Sequence, residues 1–164
     1  MKMNSIVTDS KERERFLKFS VVGAIGALVD FGSFHLFMSL LGIPPVWAQV
    51  CSFTAAVTSN FIWNRYWTFP DSRSRSAGTQ FVQFFIISIV GLVFRLFFVG
   101  FTYPFFGNIG ASILPGDLDA TAVAQLGSNI AQAISIGIVM FWNFFANRLW
   151  TFRDVDEAED AKQP

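Results

Sequence analysis

The sequence predicts an all-α membrane protein whose four transmembrane helices form two tandem hairpins. Three observations carry this. The composition is 52% hydrophobic and 15% charged, with 21 phenylalanines in 164 residues, whereas soluble domains carry about 25% charge. Apolar runs long enough to cross a bilayer recur along the chain; about 20 helical residues suffice. Finally, the second half repeats the pattern of the first. The 12 basic residues balance 12 acidic ones, which excludes a nucleic-acid binder built on net positive charge. The single cysteine excludes a disulfide-stapled module.

The expected organisation is a cytoplasmic tail over 1–15, a transmembrane domain over 16–152, and an acidic, solvated tail over 153–164. Spans fall at about 16–41, 46–66, 81–106 and 123–148. Pro44 and Pro45 separate the first two, and Asn108, Gly110, Pro115 and Gly116 separate the last two. The spans are expected to be helical because backbone groups in lipid must be satisfied within the segment. The first is too long for a signal-peptide core and carries Asp30, so it is expected to be retained. Basic residues outside the spans cluster at the N-terminus, between spans two and three, and at the C-terminus; Gly42–Pro45 and 107–122 carry none. By the positive-inside rule both termini are cytoplasmic. The long connection 107–122, with Asp117 and Asp119, then lies outside.

Asn60-Phe61-Ile62-Trp63-Asn64-Arg65-Tyr66-Trp67-Thr68-Phe69 closes the second span. Asn143-Phe144-Phe145-Ala146-Asn147-Arg148-Leu149-Trp150-Thr151-Phe152 closes the fourth, and seven of ten positions are identical. Phe16 to Phe19 align with Phe81 to Phe84, placing Gly26 on Gly91 and Asp30 on Arg95. Each half holds an even number of spans, so the repeat is parallel, with its axis along the membrane normal.

Asp30 and Arg95 sit at similar depth, where each unpaired charge costs about 2.5–3.5 kcal/mol. Pairing across the repeat axis is expected. The pair serves as a structural clamp, as the lining of a polar path, or as a proton-coupled carboxylate. His35 is expected in the interior, and Cys51 as a small apolar filler. Gly23/Ala27, Ala55/Ser59 and Ala133/Gly137 have the four-residue spacing of close helix contacts.

In each motif copy, residues three and four apart share a face. Asn60, Asn64 and Trp67 form one stripe, and Asn143, Asn147 and Trp150 form the other. Arg65 and Arg148 are expected near the headgroups. Interfacial anchoring accounts for Trp and Arg at such places, and helix–helix hydrogen bonding for Asn. The functional alternative is a site for an anionic lipid headgroup: Arg has a planar fork suited to phosphate, and Asn suits sugar hydroxyls. No P-loop, metal set or nucleophile elbow is present, so no enzyme, metal or cofactor is expected.

The four-span layout, the Gly23, Gly26, Asp30 pattern and the doubled N-R-x-W-T-F resemble the GtrA-like family over about 16–152. The matching positions are Asn64, Arg65, Trp67, Thr68 and Phe69, then Asn147, Arg148, Trp150, Thr151 and Phe152, with Asp30 at the acidic position of the first span. Ala146 stands where the first copy has Trp63, so the half-sites need not be equivalent. The resemblance implies a multi-pass protein of the bacterial cytoplasmic (inner) membrane that flips a polyprenyl-phosphate-linked monosaccharide for cell-surface polysaccharide synthesis. The alternative it implies is an anchor or accessory subunit of a polyprenyl-phosphate glycosyltransferase. A small-molecule exporter is a third reading, and Arg95 argues against it by satisfying the membrane carboxylate. Four helices leave little room for a sugar, which favours a homodimer.

Overall fold

A computed structural model of the chain describes residues 9–114 and 119–155. Four long helices account for most of these: α1 (Ser10–Ser39), α2 (Pro45–Trp63), α3 (Ala77–Ile113) and α4 (Ala120–Ala146). A single π-helical turn extends α2 over Asn64–Thr68, and another extends α4 over Asn147–Thr151. The described residues contain no β-strand.

Helix α1 begins at Ser10, ahead of the span expected from Phe16, because Asp9 caps it by accepting the Lys11 N–H at 2.9 Å. Past its end, Gly42 adopts a φ of 63°, a left-handed conformation that costs glycine little. Pro45 then starts α2 at a position where no intrahelical N–H is needed.

Among the described residues, three helical stretches are long and apolar enough to cross a membrane: Ser10–Ser39, Ala77–Ile113 and Ala120–Thr151. Helix α2 has 19 residues, about 28 Å at 1.5 Å each, but carries Gln49, Ser52, Thr54, Thr58 and Asn60. Its hydroxyls turn into their own helix: Ser52 donates to Gln49 O, Thr54 to Val50 O and Thr58 to Thr54 O. This lowers the cost of placing them in an apolar setting.

The chain divides into two compact units, residues 1–85 with 146–164, and residues 86–145. In the first, α1 packs on α2, with Phe19, Val22, Ala48, Ala56, Val57 and Phe61 buried. Phe69 and Phe152, the last residues of the two motif copies, are fully buried and stack at 4.6 Å between centroids.

In the second unit, α3 and α4 meet through glycine. A Cβ on Gly127 would collide with the Tyr103 carbonyl, and one on Gly107 would lie 2.5 Å from Val123 O. Gly110 faces Leu126 at a similar distance. These contacts explain why α3 runs through Asn108 and Gly110, expected as breaks, to Ile113. Tertiary packing overrides the weak helix preference of glycine. Pro115, Gly116 and Asp117 lie outside the described residues. Asp119 caps α4 by accepting the Ala122 N–H at 2.7 Å.

The close contacts fall elsewhere than on two of the expected small-residue stripes. A Cβ at Gly23 or Gly137 would meet open space. One at Gly26 would overlap the Asn60 carboxamide, and one at Gly91 would meet Val139 at 3.0 Å and the Asn143 carboxamide at 3.4 Å. The repeat thus recurs as geometry: an asparagine of each hairpin's second helix packs on a glycine of its first.

Candidate functional site

Both copies of N-R-x-W-T end their helices in the same way. The Phe69 N–H reaches back to Asn64 O at 2.8 Å, and the Phe152 N–H reaches Asn147 O at 2.8 Å. These bonds span five residues and widen the last turn; such turns recur at functional sites. The widened turn buries the Asn, Arg and Thr of each copy and leaves Trp67 and Trp150 38% and 43% exposed.

Arg65 and Arg148, expected at the headgroups, are both buried. Arg148 is wholly enclosed and grips the equally buried Glu12 of α1, with Nε at 3.0 and 3.2 Å and Nη2 at 2.9 Å from its carboxylate oxygens. Arg15 also donates to Glu12 and lies 3.9 Å from Asp71. Arg65 donates to the carbonyls of Ser72 at 3.4 Å and Arg75 at 3.3 Å. A charge count cannot distinguish a free arginine from one whose carboxylate lies 136 positions away. Arg148 thus ties the end of the second motif copy to α1, and Arg65 ties the first copy to the connection that follows it.

Asp154 receives a second correction. Expected in a solvated tail, it is 1% exposed. It accepts from the Ser72 hydroxyl, from Ser74 N at 3.2 Å and Oγ at 2.7 Å, and from Gln80 Nε2 at 3.3 Å. Burial pushes its carboxyl upward, but the hydrogen bonds from Ser72, Ser74 and the backbone outweigh this and hold it below the ordinary carboxylate range. The later acids of that tail lie outside the described residues. A signal for this residue was present: both motifs continue to an aspartate at the same spacing, Asp71 and Asp154.

The asparagines divide similarly. Asn64, 1% exposed, donates to Asn60 O at 2.9 Å. Asn147 is fully buried and accepts from the Thr151 hydroxyl at 2.8 Å. Asn60 and Asn143 are the half-buried residues against Gly26 and Gly91. On the α1–α2 hairpin, Asp30 Oδ1, Asn60 Oδ1 and Asn64 Oδ1 are buried and have no hydrogen-bond partner among the described residues. Gly26 touches Asn60, and Asp30 follows one helical turn later on the same face. The three oxygens thus lie in a row along the α1–α2 contact.

Asp30 lies in the first unit and Arg95 in the second. Arg95 Nη2 donates to Gln132 Oε1 at 3.2 Å, from α3 to α4. His35, expected inside, is exposed and meets Phe31 edge-on at 4.4 Å; Cys51 is also exposed. Among the described residues, no group of three or more His, Cys, Asp or Glu is placed to hold a metal ion.

Known proteins share this arrangement of sequence. Residues 18–152 match the family described as GtrA/DPMS, transmembrane domain. The membrane protein YngA of Bacillus subtilis (strain 168) is 35% identical over 147 residues, covering 88% of this chain and 84% of that protein. A dolichol-phosphate mannosyltransferase of Pyrococcus furiosus is 35% identical over 105 residues, covering 60% of this chain but only 30% of that protein.

Proposed function

Because the chain belongs to the GtrA/DPMS transmembrane-domain family, we propose that it translocates a polyprenyl-phosphate-linked monosaccharide across the bacterial inner membrane. In this reading all four helices cross the bilayer and both termini are cytoplasmic, as the basic flanks favour. Helix α2 crosses with its hydroxyls turned into its own backbone. The chain moves a lipid and breaks no covalent bond.

The observation that carries the proposal is the row of unpartnered acceptors at Asp30, Asn60 and Asn64. Buried polar atoms are nearly always paired, and a sugar offers the hydroxyl donors these oxygens lack. The polyprenyl tail stays in lipid, and the exposed Trp67 and Trp150 mark the end at which the headgroup enters. Arg148 holds the second motif copy to α1, and Arg65 holds the connection after the first.

The test is transport of a short-chain polyprenyl-phosphate sugar in liposomes by Asn60→Ala and Asp30→Ala, alone and together. Both are expected to slow movement about tenfold while the protein stays folded, the loss of roughly one hydrogen bond each to a bound sugar. Wild-type rates in the folded double variant overturn the assignment.

A second reading has its own support. The P. furiosus relative is a mannosyltransferase by name, and the matching stretch is a minority of it. The chain would then hold a glycosyltransferase, or a second copy of itself, beside the lipid substrate. Co-purification with a glycosyltransferase, with no lipid movement by the isolated chain, is the result that favours it.

A further inference from the structure

With both motif arginines enclosed, the lipid phosphate of the proposed function needs another cation. The exposed motif tryptophan of each copy has one beside it. In the first copy, the Lys18 ammonium of α1 lies over the Trp67 ring, 5.9 Å from its centroid, and Trp63 meets Trp67 edge-on at 6.3 Å. In the second copy, the position equivalent to Lys18 is Gln83. Gln83 Oε1 accepts from Arg75 Nη1 at 3.3 Å, and the same nitrogen donates to the Trp150 carbonyl at 3.2 Å. The lysine is lost from the helix, yet a guanidinium from the preceding connection is held in its place. The two copies also differ in how the cation is paired. Lys18 is paired with Glu14 at 2.6 Å, whereas Arg75 forms no ion pair among the described residues.

We propose that Arg75 with Trp150, and Lys18 with Trp67, are two phosphate seats of unequal strength on the end of the molecule that carries both motif copies. The inference rests on the lipid-phosphate reading above and moves its phosphate from Arg65 and Arg148 to these cations. Arg75 is the stronger seat. Its guanidinium is a planar fork, already oriented by Gln83 and the Trp150 carbonyl, with its second terminal nitrogen and Nε left over for a phosphate. Lys18 is the weaker seat, because an incoming phosphate must displace the Glu14 carboxylate. The tryptophans suit the interfacial depth at which a lipid phosphate lies. The shared ligand chemistry is a phosphate monoester or diester, presented by a lipid or free in solution.

The test is equilibrium binding of a short-chain polyprenyl monophosphate to the full chain in detergent, read by quenching of tryptophan emission. Inorganic phosphate is titrated in parallel. Arg75→Gln is expected to weaken lipid binding about tenfold, Lys18→Gln less, and the double variant more than either. Arg75→Lys recovers part of the loss. Glu14→Gln is expected to tighten binding, because it frees Lys18; a merely structural role for that pair would not produce a gain. Wild-type affinity in the folded Arg75→Gln/Lys18→Gln protein overturns the proposal, and unchanged affinity in Glu14→Gln overturns the Lys18 seat. Inorganic phosphate binding far more weakly than the lipid supports a headgroup seat, and equal affinity overturns the lipid as ligand. Binding that follows this pattern without any lipid movement retires the translocase and keeps the seats. Movement at wild-type rates in the double variant retires the seats and keeps the translocase.

Discussion

Removing Arg148 tests how the ends of the repeat are held. Its side chain is fully enclosed and makes three contacts to Glu12, itself 1% exposed. Arg148→Met leaves that carboxylate buried with Arg15 as its remaining cation. Breaking a buried pair by removing one partner costs about 3–5 kcal/mol; because Arg15 stays, about 3 kcal/mol is expected here. Glu12→Leu is costlier, since it removes the carboxylate that both Arg148 and Arg15 contact. The double variant places apolar groups on both sides but still takes Glu12 from Arg15, so it keeps most of the Glu12→Leu loss while sparing the separate cost of Arg148→Met. Its loss is therefore expected to fall short of the sum of the singles by about 2–3 kcal/mol. The assay is unfolding of the solubilised protein in mixed detergent, followed by circular dichroism. Additive losses, or a wild-type midpoint for Arg148→Met, would refute the reasoning.

Other residues give sharper local tests. Asp154→Asn is expected to cost about 1–2 kcal/mol at neutral pH by weakening charge-assisted bonds from Ser72, Ser74 and Gln80. Its folded-state pKa lies below the ordinary value of 3.8, so between those limits the unfolded chain binds more protons and stability rises with pH. The gap between wild type and variant should thus be complete at neutral pH and close as pH falls below about 4; a constant gap down to pH 3 argues against it. Gly26→Ala should destabilise by about 1–3 kcal/mol as the new methyl displaces Asn60, while Gly23→Ala, facing open space, should stay within about 1 kcal/mol of wild type; equal thermal midpoints would count against the contact. Gly127→Ala should be more damaging than Gly26→Ala, because its methyl meets the Tyr103 backbone carbonyl rather than a movable side chain; protease sensitivity over 86–145 reads the difference.

The helices and their repeat were legible because apolar runs and recurring residues are local facts. Asn60 over Gly26 and Asn143 over Gly91 even show the repeat preserved as contact geometry. The fate of the charges was not legible. Arg148 looks in sequence like an interfacial anchor, and only folding brings Glu12 to it. Asp154 looked solvated because it opens an acidic run, although its spacing from the motif matches that of Asp71. The length of α3 was missed for the converse reason: Asn108 and Gly110 look like breakers until Val123 and Leu126 pack on Gly107 and Gly110.

The central claim is that this chain alone moves a sugar lipid, and liposomes containing only the purified protein test it most directly. A short-chain polyprenyl-phosphate sugar placed in one leaflet is followed by its accessibility to a membrane-impermeant reagent. The account predicts protein-dependent, time-dependent exchange between leaflets that slows in Asn60→Ala. No exchange above protein-free liposomes, with several sugars and protein shown to be folded, would contradict it.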